Sequence, residues 1–210
     1  MPNRPQSARK MTARQPGVET HPFAPFLPSR ARVLFMGTFP AGAHRWSMEF
    51  YYPNFLNDFW RVMGLLYFGE PGHFERRPAP DGKNRWNEGA IRQFCASRGL
   101  AFSDTAEQIR RLAGNASDAS LEVVRARDVD GLLAQLPVCA VVAATGKKAA
   151  EVLAELFGVA VPLVGGQGEI RSGARRLQFW RLPSTSRAYP LPLPKKAAPY
   201  AALLRSLGLL

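Results

Sequence analysis

The chain of 210 residues is poor in the side chains from which disulfide frameworks and metal centres are built, with two cysteines and three histidines. Cys95 and Cys139 are too few for a disulfide scaffold or a four-thiolate cluster. Cys139 lies in the apolar run PVCAVVAATG and reads as a packed free thiol, which points to a reducing, intracellular and specifically cytoplasmic setting (nucleoid-associated in a bacterium). His21, His44 and His73 lack metal-ligand spacing, so no metal and no other cofactor is expected. Histidine is also too scarce for a persuasive Ser-His-Asp arrangement. No apolar run approaches the ~20 residues that span a bilayer, and no membrane association is expected. Acidic residues are short as well: 16 Asp+Glu stand against 28 Lys+Arg, a net charge of +12. That imbalance favours a polyanionic partner, nucleic acid before an anionic membrane surface.

What is present falls into two parts. Residues 1–30 are rich in Pro, Arg and Ser without periodicity and read as a basic, disordered tail. The tail is as acid-poor as a targeting peptide, but it lacks the apolar stretch of a secretory signal. Residues 31–210 read as one domain, expected to be a monomer. RVLFMGTF, LAFSDTA, CAVVAATG and RRLQFWRL are four mostly apolar strand-like runs. Between and after them, NDFWRVMGLL, EGAIRQFCASRG, KKAAEVLAELFG and KKAAPYAALLRSLGLL carry apolar residues at helical spacing. SDASLEVVRARDVDGLLAQL reads as helical with a break at Gly131. Residues 69–87 are a polar, Gly/Pro-rich excursion. Apolar strands alternating with helices predict an α/β three-layer sandwich with a central, mainly parallel four-stranded sheet flanked by helices.

In such sheets ligands bind beyond the carboxyl ends of the strands. Three turns fall there: Gly37–Gly42, Asp104-Thr105 and Pro183–Arg187. Soon after the first comes FYYPNFLNDFW, which combines six aromatic residues with two asparagines. A core has little use for paired amides, and a loop has little use for six aromatics. Together they suit a flat, polar ligand. Three weaker motifs fail. TGKKAAE lacks the upstream glycine of a phosphate-binding loop, GGQGEIR has Arg171 at the last glycine position of a dinucleotide fingerprint, and Asn115-Ala116-Ser117 reads as a turn rather than a glycosylation site.

The turns in their order, GTFPAG, YYPNFLNDFW, TGKKAAEVL and LPSTSRAYP, resemble the uracil-DNA glycosylase superfamily, most of all its hypoxanthine-DNA and mismatch-specific uracil-DNA branches, over residues 32–205. The resemblance implies hydrolysis of the N-glycosidic bond of a deaminated base, uracil or hypoxanthine, flipped out of single- or double-stranded DNA, to leave an abasic site. It places Tyr52 as the ring that stacks on the base. Gly37, Thr38 and Phe39 fall in the first motif, and Asp104 near the base pocket. Ser184, Thr185, Ser186 and Arg187 form the loop pressed into the groove, with Arg187 filling the gap the base leaves. Many relatives carry Asp, Glu or Asn where this chain has Phe39. In the hypoxanthine-type branch an asparagine of the N-x-F-W segment is catalytic, which puts Asn57 in that role with Asn54 assisting.

Each assignment has a plainer competitor. Asn54 or Asn57 can simply cap a helix. Glu49 and Asp58 are nearby carboxylates that could serve instead, though Asp58 suits a first helical turn. Lys195 and Lys196 read as a solvated helix face, and Trp60, Trp180 and Phe35 as core. No lysine of the rim suggests a Schiff-base nucleophile, so the enzyme is expected to be monofunctional. Two alternatives stay open: a non-catalytic nucleic-acid-binding module of the same fold, and a hydrolase of small nucleosides.

Overall fold

In chain order the computed structural model contains β1 (Val18–Thr20), β2 (Val33–Gly37), α1 (Phe59–Phe68), β3 (Glu75–Arg76), β4 (Arg85–Trp86), α2 (Glu88–Arg98), β5 (Leu100–Asp104), β6 (Ala106–Arg111), β7 (Leu121–Ala126), α3 (Val129–Ala134), β8 (Val141–Thr145), α4 (Lys147–Phe157), β9 (Gln167–Ser172), β10 (Arg175–Leu182) and α5 (Leu193–Ser206). It describes residues 17–76, 82, 84–112 and 120–210.

The four apolar runs become parallel neighbours in a sheet of order β5-β2-β8-β10-β9. Every residue of β2, β5 and β8 is buried, as strands covered on both faces require. Successive side chains point to opposite faces, so each strand feeds two cores. Val33, Phe35, Phe102, Val141 and Ala143 pack with Phe59, Trp60, Ile91, Tyr200 and Leu204 of α1, α2 and α5. Leu34, Met36, Ala101, Val142 and Ala144 pack with Leu132, Leu133, Ala150 and Leu153 of α3 and α4. The result is three layers. Trp60 and Phe35 are fully buried and Trp180 nearly so. Cys95 and Cys139 are free and buried.

Five details differ from the sequence expectation. The sheet has five strands, because β9 adds antiparallel to β10. Its GGQGEIR stretch ends in a two-residue loop where Gly173, at φ +57°, supplies the left-handed turn that a tight hairpin needs. The stretch 117–136 is not continuously helical. Leu121–Ala126 alternates and forms β7, whose adjacent β-branched Val123 and Val124 suit a strand, and only Val129–Ala134 is a helix. The polar excursion 69–87 carries the β3–β4 hairpin. Residues 113–119, with the Asn115-Ala116-Ser117 turn, lie outside the described residues.

The fourth difference concerns the N-terminal segment. Residues 1–16 lie outside the described residues, but 17–30 are not a free tail. β1 pairs antiparallel with β6, which pairs with β7 in a second small sheet. Phe26 exchanges two backbone hydrogen bonds of 2.9 Å with Phe102 of β5. The segment thus covers the edge of the main sheet, where unpaired backbone groups would otherwise face water. Proline and arginine masked this, since the residues that anchor it, among them Val18–Thr20, His21, Phe23, Phe26 and Leu27, form no periodic pattern.

The last helix also departs from expectation. Lys196 is not on a solvated face: its side chain is 2% exposed and Nζ lies 2.7 Å from Asp58 Oδ2 at the start of α1. The ammonium also donates to the Ser186 carbonyl at 3.2 Å. One turn on, Tyr200 donates its hydroxyl to the Pro183 carbonyl at 2.9 Å. Asp58 in turn donates its backbone N–H to Thr185 O at 2.9 Å. A buried charge left without its partner is costly. We therefore expect Asp58→Ala to lower unfolding free energy by about 3 kcal/mol in denaturant titrations, since it strands the ammonium. Lys196→Met, which removes the charge and keeps the volume, is expected to cost less than half as much.

Candidate active site

The carboxyl ends of β2, β5, β8 and β10 open into a cleft of about 760 Å³, and every residue singled out from the sequence as a site residue lines it: Gly37, Thr38, Phe39, Tyr52, Asn54, Asn57, Asp104, Ser184, Thr185, Ser186 and Arg187. Backbone bonds set the floor. Thr105 and Ala106 donate N–H groups to Gly37 O and Thr38 O, and Gly146 donates to Leu182 O.

Tyr52 adopts φ +55°, the left-handed region, which is unusual for an aromatic residue and costs energy that its surroundings must offset. Two contacts hold it. Its ring lies parallel to Phe59 at 4.0 Å between centroids, and its hydroxyl is 2.8 Å from Thr145 Oγ1. Because Thr145 donates its own proton to Met36 O, the tyrosine hydroxyl is the donor between them. Burial, with Tyr200 and Asp104 nearby, pushes the Tyr52 hydroxyl well above the usual tyrosine range, so it stays neutral. With one face on Phe59, the opposite face is the one a planar ligand could cover.

The two asparagines are partly committed to the backbone. Asn57 Oδ1 accepts the Phe59 N–H at 2.9 Å and Asn54 Oδ1 accepts the Leu56 N–H at 3.0 Å. Neither is the helix cap expected of it: the N-cap position of α1 is Asp58, and the two bonds close turns in the loop before it. These bonds do not exhaust either side chain. With Oδ1 fixed by an N–H, the amide nitrogens are oriented as donors. Asp58, the residue preceding α1, makes no side-chain cap bond.

Asp104 is 6% exposed and bound to His21, whose Nε2 is 2.9 Å from Oδ2. Gly37 lies opposite Asp104 in the β2–β5 register, and a Cβ on it would meet Asp104 Oδ1 at 2.6 Å. Phe39 turns from the cleft centre to pack with Ala106, Ile109 and Leu121 of the second sheet, and its ring meets His21 edge-on at 5.1 Å. Thr185 is buried, whereas Arg187 is exposed. Ser184 Oγ and Ser186 Oγ accept the N–H groups of Ser186 and Ala188, which folds the loop. Glu49 does not reach the cleft; it lines a separate hollow of about 430 Å³ with Phe23, Trp46 and Arg92.

Several lining residues were not anticipated. Arg45, Lys147, Lys148 and Arg181 add positive charge to the cleft. The TGKKAAE turn, set aside as a failed phosphate loop, brings two of them, and a lysine pair directly after a strand's carboxyl end was the signal to heed. Two lysines therefore line the cleft. Lys147 is 77% exposed with Glu151 3.7 Å away, so it is a surface charge. His21 had no sequence signal, being 83 residues from its partner. Among the described residues, no cluster of His, Cys, Asp and Glu could hold a metal ion, and no helix is long and apolar enough to cross a membrane.

The fold defines an α/β protein with a cleft at the carboxyl ends of its parallel strands. No family model and no curated protein matches the chain. Among solved structures, it is similar to a solution NMR structure from Methanosarcina acetivorans, whose assignment as a uracil DNA glycosylase is itself provisional. The TM-score is 0.61 and the identity 20%, over 91% of this chain and 99% of that one. The likeness establishes a shared mixed α/β fold across nearly all of both chains.

The closeness of Gly37 to Asp104 gives a direct test. Gly37→Ala places a methyl group where a carboxylate oxygen already sits, and the His21 contact leaves that carboxylate little room to move. Overpacking of this kind should lower stability by about 1–3 kcal/mol, visible in the melting midpoint.

Proposed function

We propose that the protein is a DNA glycosylase that hydrolyses the N-glycosidic bond of a deaminated base, uracil or hypoxanthine, flipped out of DNA. The observation that carries this reading is the meeting in one cleft of a braced aromatic ring, two donor-oriented asparagine amides and a basic rim. A flipped base requires a stacking surface, polar groups for its edge and cationic groups for the strand that delivers it. Tyr52 supplies the surface, Asn57 and Asn54 the donors, and Arg45, Lys147, Lys148 and Arg187 the charge. The shared fold with a protein provisionally assigned as a uracil DNA glycosylase agrees with this reading.

In glycosidic hydrolysis negative charge builds on the departing base while the sugar becomes cationic. A neutral amide cannot take a proton from water. With its oxygen held by the Phe59 N–H, Asn57 instead donates to the base as charge develops. Arg187, exposed at the tip of the Pro183–Arg187 loop, fills the space the base vacates in a duplex. With Lys147 a surface charge, the reaction is hydrolytic and ends at the abasic site.

One observation favours the rival reading of a binding module that has lost the chemistry: Phe39 stands where many relatives place an acid or amide, and its ring is committed to packing. Oligonucleotides carrying uracil, hypoxanthine, xanthine or mismatched thymine, in single strands and duplexes, separate the two. Abasic sites that break only with alkali or heat support the enzyme. Tight binding with no excision of any base supports the module.

Within the enzyme reading, Asn57→Ala is expected to slow single-turnover excision by about 100-fold or more, as loss of one aimed donor does. Tyr52→Ala should weaken binding of the flipped base by ~1–3 kcal/mol, the worth of one base–aromatic stack, read from substrate affinity. Arg187→Ala should reduce excision from matched duplexes more than from single strands, because only a duplex has a hole to fill.

A further inference from the structure

We propose that Asp104 is the group that accepts the proton of the attacking water, and that His21 of the N-terminal segment is the positioning residue that holds it. The inference rests on the glycosylase reading and adds the acceptor which that reading lacks.

Hydrolysis needs an acceptor as well as donors. Phe39 cannot be one, and the carbonyl oxygens of Asn54 and Asn57 are occupied by backbone N–H groups. Of the carboxylates on the cleft, Glu151 is half exposed and beside Lys147, at the outer end. Asp104 remains. It sits at the carboxyl end of β5, and only Oδ2 is engaged, by His21. The other oxygen, Oδ1, lies over the Gly37 Cα on the cleft floor. Thr38, next along the same lining, is 5% exposed and its Oγ1 has no hydrogen-bond partner among the described residues. A carboxylate oxygen and an unengaged hydroxyl on one floor are the kind of polar partners an ordered water requires.

His21 is built to hold this carboxylate. Its side chain is 1% exposed. Its ring is fixed between Phe23, Phe39 and Tyr51 at centroid distances of 5.8, 5.1 and 6.0 Å. Nδ1 accepts the Phe23 N–H at 3.1 Å, which leaves the Nε2 proton for Asp104 Oδ2. β1 pairing on β6, with the His21 N–H donated to Glu107 O at 2.8 Å, fixes the backbone that carries it.

In the reaction, the water oxygen bonds to C1′ as the C1′–N bond breaks, its electron pair leaving with the base. The proton lost by the water passes to Asp104 and ends on the released base, so charge balances. The carboxylate also faces the sugar as it becomes cationic.

The test uses the full chain. Asp104→Asn should slow single-turnover excision by about 100-fold or more, the usual worth of general-base catalysis, with duplex affinity within about threefold. His21→Ala should slow it by about 10- to 100-fold, as misplacement of a reacting group does. His21→Gln, which keeps a donor for Oδ2, should restore most of the rate; a purely space-filling role would give no such rescue. A second readout needs no turnover. Duplexes with a cationic pyrrolidine abasic analogue should bind about 10-fold better than those with the neutral tetrahydrofuran analogue, and Asp104→Asn should abolish the preference. If Asp104→Asn proves unstable, the His21 pair answers the same question. Excision at the wild-type rate by folded Asp104→Asn or His21→Ala overturns the assignment and leaves the glycosylase reading standing. A wild-type protein that excises nothing and binds neither analogue better than intact DNA overturns both.

Discussion

A single buried ammonium holds the cleft in register. Lys196 reaches from α5 to the carboxylate that precedes α1 and to the backbone of the Pro183–Arg187 loop, so the two ends of the domain's sequence share one charge. Desolvating that charge is costly, and the interior tolerates it only because Asp58 and the Ser186 carbonyl both face it. The asparagines and Tyr52 lie just before α1, and the basic loop is bonded to Asp58, the residue that follows them. The spacing of donors, ring and arginine is therefore set by packing behind the site. Tyr200, one turn further along α5, repeats the device with a neutral hydroxyl on Pro183.

The central sheet was legible in the sequence because strands covered on both faces have only one way to be written, as short uninterrupted apolar runs. The loops at their carboxyl ends were legible for the same reason, which is why all eleven residues selected from those loops meet in one cleft. Elements with one wet face were harder. β7 and β9 mix charged residues with few apolar ones, and a lone alternating Leu-Glu-Val-Val-Arg resembles a helical stretch as much as a strand. Their pairing depends on partners distant in sequence, and no local pattern records it. Lys196 was misread for a related reason. Two lysines at a helix start resemble a solvated face, and only the tertiary position of Asp58 reveals a buried pair.

The N-terminal segment illustrates the limit more sharply. Proline-rich, basic sequence without periodicity has the composition of a free tail. Yet residues 17–30 gain order from two backbone bonds to Phe102, a three-residue strand and a few rings. Each contact is small, and none is visible without the sheet edge it covers. The composition does explain why the segment crosses the domain as an extended strap: proline fixes φ near the extended range and disfavours helix in the residue before it. An extended strap is what can place one imidazole beside Asp104 while covering the edge strand.

The position of Phe39 then has a structural meaning. An acid at that point of the loop after β2 would stand beside Ala106, Ile109 and Leu121, the small core on which the second sheet closes. A phenyl ring there completes that core, supports His21 edge-on and lies beneath the Arg111 guanidinium. Gly37 and Asp104 face each other directly across the β2–β5 ladder. The chain thus carries its buried carboxylate at the end of β5, one strand away from the loop that follows β2, on the same rim of the same sheet. On the proposed reading, packing of the second sheet and placement of the proton acceptor are one constraint: β1 brings His21, His21 requires the ring of Phe39, and that ring leaves the carboxylate to the neighbouring strand.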